Sequence, residues 1–160
     1  MKNHPYILIV NQNPKKTISL PYLKTNVKKA LKFFKLTQTS LEITLTSNAF
    51  IKKQNNIFRN INQPTDVLSF PAVAVTNKTI GKATHFKGKH LGDILISLDR
   101  AHEQAKAQGI SLQKEVLFLI IHSILHLMGY DHATEKECLS MQKLESKALK
   151  KIYKPRNVGN

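Results

Sequence analysis

The sequence predicts an α+β fold, a small mixed four-stranded sheet packed with helices. Three observations predict it. Four β-rich runs, at Tyr6 to Val10, Leu41 to Thr46, Thr65 to Phe70 and Leu91 to Ser97, are bounded by turn or cap residues. Amphipathic helical stripes separate and follow them, in the order β-α-β-α-β-β-α-α-α. Val116 to Ile121 is apolar on every side, which marks a helix running through the core.

In order, Tyr6 to Val10 is a continuous apolar strand between Pro5 and Asn11-Gln12-Asn13-Pro14. Ser19 caps a helix running to about Lys35, with Pro21 near its start and Leu20, Leu23, Val27, Leu31 and Phe34 as inner stripe. Its outer lysines, Lys24, Lys28, Lys29, Lys32 and Lys35, read as a solvated face. Leu41, Ile43 and Leu45 alternate with Glu42, Thr44 and Thr46, the pattern of a strand with one buried face. Asn48 is in place to cap a short helix carrying Phe50, Ile51 and Ile57 and ending near Phe58. The strand from Thr65 to Phe70 is stopped by Pro71, which has no N–H for a ladder. From Ala72 to His90 periodicity is lost, and a connection of this length is mobile or functional. After the strand at Leu91 to Ser97, a helix spans about Asp99 to Gln108 and stops at Gly109. Ser111 opens the apolar helix, and Thr134 with Glu137 has capping-box spacing for a last helix with Met141, Leu144, Ala148 and Ile152 inside.

The chain has 160 residues, enough for one compact domain over 1–153, with a fraying tail at 154–160. It carries 25 Lys+Arg against 10 Asp+Glu, a net charge of +15. That balance suits a polyanionic partner, most simply nucleic acid, although a generally lysine-rich chain accounts for it as well. Cys138, the single cysteine, excludes an internal disulfide and reads as a helix-packing residue. No apolar run reaches the ~18 residues that span a bilayer, and the N-terminal run is too short for a signal peptide, so a cytoplasmic protein is expected.

Three of the seven histidines fall in His122-Ser123-Ile124-Leu125-His126-Leu127-Met128-Gly129-Tyr130-Asp131-His132. On a helix His122 and His126 project from one face, one turn apart. Gly129 suits the positive-φ position that ends a helix and turns the chain, so that His132 arrives from a third direction. Three imidazoles suit Zn²⁺ and leave a fourth position open, and a cation is favoured near a helix C-terminus. One Zn²⁺ per chain on His122, His126 and His132 is the expectation. Asp131 either orients a ligand or holds the turn. His85 and His90 have no neighbour at ligand spacing and stay outside the site. The peptidase motif H-E-x-x-H is missed, because Ser123 stands where its basic glutamate belongs.

The run HSILHLMGYDH resembles the signature of the YbeY family of bacterial metal-dependent endoribonucleases, H-G-x-L-H-L-x-G-Y-D-H, with Ser123 in place of the glycine. Phe58-Arg59 followed by Pro64-Thr65-Asp66-Val67-Leu68-Ser69-Phe70-Pro71, and Leu91-Gly92-Asp93-Ile94-Leu95-Ile96-Ser97, agree with that family in order and spacing. The resemblance implies the family's α+β architecture, with the metal site at the end of the central apolar helix, and places Arg59 in the catalytic cleft, where a guanidinium fork can grip a phosphate. It implies a single-strand-specific endoribonuclease acting in 16S rRNA 3′-end maturation, ribosome assembly and rRNA quality control. Single-stranded rRNA precursor and ribosomal particles are the expected partners, and neither DNA nor a membrane is expected. Two alternatives stand beside this reading: an RNA- or ribosome-binding assembly factor with a structural metal, and a metallopeptidase.

Overall fold

The computed structural model describes residues 5–154, so the expected tail from 155 onward lies outside the described residues. The fold is α+β. Strands β1 (Tyr6–Asn11), β2 (Ser40–Thr46), β3 (Val67–Pro71) and β4 (His90–Ser97) form one mixed sheet of order β1-β2-β4-β3. β1, β2 and β4 run parallel and β3 pairs antiparallel with β4. The helices are α1 (Leu20–Phe33), α2 (Asn48–Arg59), α3 (Ala83–Phe86), α4 (Leu98–Gln108), α5 (Leu112–Leu127) and α6 (Glu135–Ile152).

Alternation along the strands sorts the two faces. Ile7, Leu41, Ile43, Leu45, Ile94 and Ile96 point into the main core with α1, α5 and α6. Leu68 and Leu95 point the other way and meet Ile51 of α2. The register Val67↔Ile96, Ser69↔Ile94 and Pro71↔Gly92 puts Val67, Ser69 and Pro71 on the α5 side of the sheet. α5 is the hub: it touches α1, α4, α6, β3 and β4, and Val116, Leu117, Leu119, Ile120 and Ile121 are at most 3% exposed. An apolar helix of this kind is stable only when neighbours cover all its sides. Among the described residues no single helix is long and apolar enough to cross a membrane.

Ser19, Ser111 and the Thr134–Glu137 capping box cap their helices as expected. Several local expectations are corrected. Ser47, one residue earlier than Asn48, caps α2. Asn48 instead ties α2 to α4: its amide donates to Asp99 Oδ2 (2.8 Å) and its Oδ1 accepts from Ser97 Oγ (2.7 Å). Of the apolar residues that α2 carries, Ile51 is buried, while Phe50 and Ile57 are 40% and 69% exposed. Pro71 pairs as the last residue of β3; on an edge strand its missing N–H costs nothing. Cys138 is half-buried at the surface of α6, where Sγ accepts from Gln142 Nε2 at 3.6 Å, so it does not pack the core.

The aperiodic segment between β3 and β4 is tied down. Phe86 of the single-turn α3 is fully buried, and Val73, Val75 and Ala83 pack on the main core. A short segment held by scattered tertiary anchors leaves no hydrophobic period to read.

Candidate metal centre and cleft

The site begins where α5 ends. Met128 caps the helix and Gly129 follows at φ 97°. Gly129 N donates to His126 O (2.9 Å) and Tyr130 N to Leu125 O (3.0 Å), the paired bonds of a Schellman turn. Glycine is required twice over, because a Cβ here would also lie 2.4 Å from Val75 Cγ1. From the other side, Gly81 N donates to Met128 O (3.0 Å), and a Cβ on Gly81 would collide with the Tyr130 hydroxyl at 2.3 Å. The segment that reads as featureless in sequence therefore buttresses the turn that aims His132.

The turn brings the three histidines together. Ring centroids are 4.5 Å apart for His122–His126, 5.1 Å for His126–His132 and 6.0 Å for His122–His132. His126 Nδ1 meets the Tyr130 carbonyl at 3.0 Å, and a carbonyl only accepts, so that nitrogen carries the proton. His122 Nδ1 donates to the carboxylate of Glu145, which is 6% exposed on α6. Both Nε2 atoms are left as lone pairs, and they face each other at 3.0 Å. Two acceptors at this distance repel unless a cation lies between them, so the donor set fits a metal ion. Burial, followed by the neighbouring His122, pushes His126 below the ordinary imidazole range and keeps it neutral, as a ligand must be.

Asp131 stands at the turn beside the His132 ring. Its Oδ1 accepts from the His132 amide (2.8 Å) and lies 3.7 Å from His132 Nδ1. Its carboxylate also belongs to a compact group with His126 and His132, whose ligand atoms all lie within 4.8 Å of one another. That tighter group leaves out His122. Asp131 is largely exposed and bonded within its own turn, whereas His122 Nε2 faces only the His126 ring. Ser123 is fully buried in the core and faces away from the cleft, so the departure from the usual glycine leaves the site's chemistry alone.

Arg59, at the end of α2, lines one cleft of about 550 Å³ with Asp66, Val67, Ser69, Pro71 and the three histidines. Asp66 is spoken for: Oδ1 accepts from Val67 N (2.8 Å) and Oδ2 from Gln104 Nε2 (3.2 Å). A wider groove of about 860 Å³ runs along α6 by Leu139, Lys143 and Lys150, but it gathers no histidine and no arginine. His85 and His90 stay away from the centre. His85 Nε2 meets Ala74 O at 2.8 Å, and His90 is bound at both nitrogens, by Ser40 Oγ (2.7 Å) and Asp93 Oδ1 (3.1 Å).

Glu145 is the residue that sequence reasoning missed. It lies four residues after Met141 and three before Ala148, within the inner stripe of α6. A carboxylate at a buried helical position was the available signal, since such a group needs a donor.

A four-stranded α+β frame whose cleft gathers three imidazoles and an arginine is compatible with a metal-dependent hydrolase. The chain belongs to the YbeY family: the family model described as Endoribonuclease YbeY matches residues 8–153. It is 41% identical over 147 residues to the Endoribonuclease YbeY of Sulfurihydrogenibium sp. (strain YO3AOP1), covering 91% of each chain. It is 43% identical over 122 residues to that of Heliobacterium modesticaldum, covering 73% of this chain and 72% of the relative. A solution structure from Thermotoga maritima shares the fold, with TM-score 0.62 at 24% identity over 98% of this chain and 99% of the other.

Proposed function

We propose that this chain is a metal-dependent endoribonuclease of the cytoplasm that cuts single-stranded RNA. Its natural substrate is the rRNA precursor on ribosomal particles, at the stage of 16S 3′-end maturation. One Zn²⁺ is held by His122, His126 and His132. The observation that carries this reading is the pair of Nε2 lone pairs 3.0 Å apart, each backed by a hydrogen bond at Nδ1, in the same cleft as Arg59. A bound zinc ion supplies a Lewis acid that acidifies water and polarises a phosphoryl oxygen.

The chain's own residues supply the rest. Glu145 and the Tyr130 carbonyl hold two rings in the tautomer that offers Nε2. Asp131 fixes the His132 amide and hence the approach of the third ring. Arg59 presents paired N–H donors to a phosphate whose negative charge rises during cleavage. A flexible strand can bend a phosphate into this cleft, whereas a duplex holds its phosphates on a stiff outer path.

The test compares wild type with His126→Ala on one oligoribonucleotide, alone and annealed to its complement, at several salt concentrations. Wild type should cut the single strand in preference, with little dependence on base identity. Binding should weaken with salt by a slope of about −0.7 per phosphate contact. RNA binding without metal-dependent cleavage would assign the chain to assembly-factor duty and overturn the nuclease reading.

A further inference from the structure

Phe58 precedes Arg59 at the end of α2, and its ring is 61% exposed. It is nonetheless held in a fixed pose, edge-to-face on Phe70 with centroids 4.9 Å apart and planes at 63°. Phe70 lies on edge strand β3 between Ser69 and Pro71, both of which line the cleft from the opposite face of the sheet. The two phenylalanines therefore stand just over the β3 edge from the histidines. Ile57 and Ile61, close to Phe58 in the sequence, are also exposed (69% and 48%). From Ile43 to Thr65 the sequence has no acidic residue, and Lys52 and Lys53 are exposed on α2.

We propose that Phe58, braced by Phe70, is a stacking platform for a base of the single strand whose phosphate Arg59 grips. The inference rests on the nuclease reading and adds a binding element to it. The occupant follows from the surroundings. An exposed ring beside the cleft arginine, on a helix that carries Lys52 and Lys53 and no acid, fits a base attached to a polyanion better than it fits an apolar peptide, and Asp93, across the ladder from Phe70, is bonded to His90. Every base has a π-face, so such a platform takes single strands without choosing sequence and rejects a duplex, whose bases are already stacked.

The chain has no tryptophan, so Phe58→Trp installs a single fluorophore at the proposed contact. With the zinc-loaded protein in stopped flow, before turnover, a single-stranded oligoribonucleotide should quench this fluorescence, and an abasic strand of equal length should not. Phe58→Ala should weaken binding of the intact strand roughly tenfold or more. It should leave the abasic strand bound as before, and Phe58→Tyr should restore the loss. Equal affinity of wild type and Phe58→Ala for the intact strand would overturn the proposal, as would equal quenching by both strands. Loss of a protein partner's binding in Phe58→Ala with RNA affinity intact would also overturn it and assign the patch to that partner. If wild type binds the strand with these signatures but never cuts it, the nuclease reading fails while the platform stands.

Discussion

The two ends of α5 both carry ionisable side chains in apolar surroundings, and they resolve the conflict differently. Near the N-terminus Glu115 is 3% exposed, and no ion pair reaches it among the described residues. Burial first, and the nearby Asp66 carboxylate second, push its carboxyl above the ordinary range. The helix dipole favours an anion there, but lost hydration outweighs it. At the C-terminus the rings of His122 and His126 are held at Nδ1 by Glu145 and the Tyr130 carbonyl, and their Nε2 atoms face each other. Burial without an ion pair pushes a carboxyl toward its neutral form, whereas bonds from neighbouring groups orient the two imidazoles. The comparison shows that the two ends differ in their orienting bonds as much as in burial.

Breaking the C-terminal end should have the largest effect. His122→Ala, His126→Ala or His132→Ala should each lower bound zinc in the purified protein and abolish cleavage, whereas His85→Ala and His102→Ala should retain the metal. One full equivalent of zinc in all three cleft variants would remove the proposed site. Next comes the cleft wall facing that end. Arg59→Lys keeps a cation but loses the fork, and the cleavage rate should fall on the order of 100-fold, with zinc content and melting temperature near wild type. An active Arg59→Ala protein would make the arginine a bystander.

The orienting bond is the sharper test of the comparison. Glu145→Gln should weaken zinc about 10- to 100-fold in competition with a chelator; unchanged affinity would reduce Glu145 to a packing residue. The smallest effect belongs to the N-terminal end. A carboxyl whose folded pKa is raised holds a proton that the unfolded chain releases, so stability falls as pH climbs from the ordinary value of 4.5 toward the folded one, and stays lower above it. Glu115→Gln should therefore raise the melting temperature at about pH 8 more than at about pH 4. A variant less stable at both would show that the carboxyl is held by a favourable contact.

Much of the fold was legible because its signals are local. Ser19, Ser111 and Thr134–Glu137 declare helix starts through bonds spanning three residues, and the alternation in Leu41–Thr46 declares a buried face. The near misses were local too: Ser47 and Asn48 are both cap residues, and only the bond from Asn48 to Asp99, far along the chain, decides between them. Exposure was harder to read, since Phe50 and Ile57 look like core residues until no neighbour arrives to cover them.

By itself the sequence determined the pair His122 and His126 on one helical face, the glycine that permits the turn, and the third histidine within reach, because 3.6-residue periodicity and positive φ are properties of adjacent residues. The tertiary structure alone decided what makes the cluster a site. Glu145 reaches His122 across 23 residues, Arg59 lines the same cleft, where the sequence placed it only through a family resemblance, and Gly81 and Val75 press on the turn from a segment without periodicity. These are contacts between elements whose approach is set by packing in three dimensions, and spacing along the chain carries no record of them.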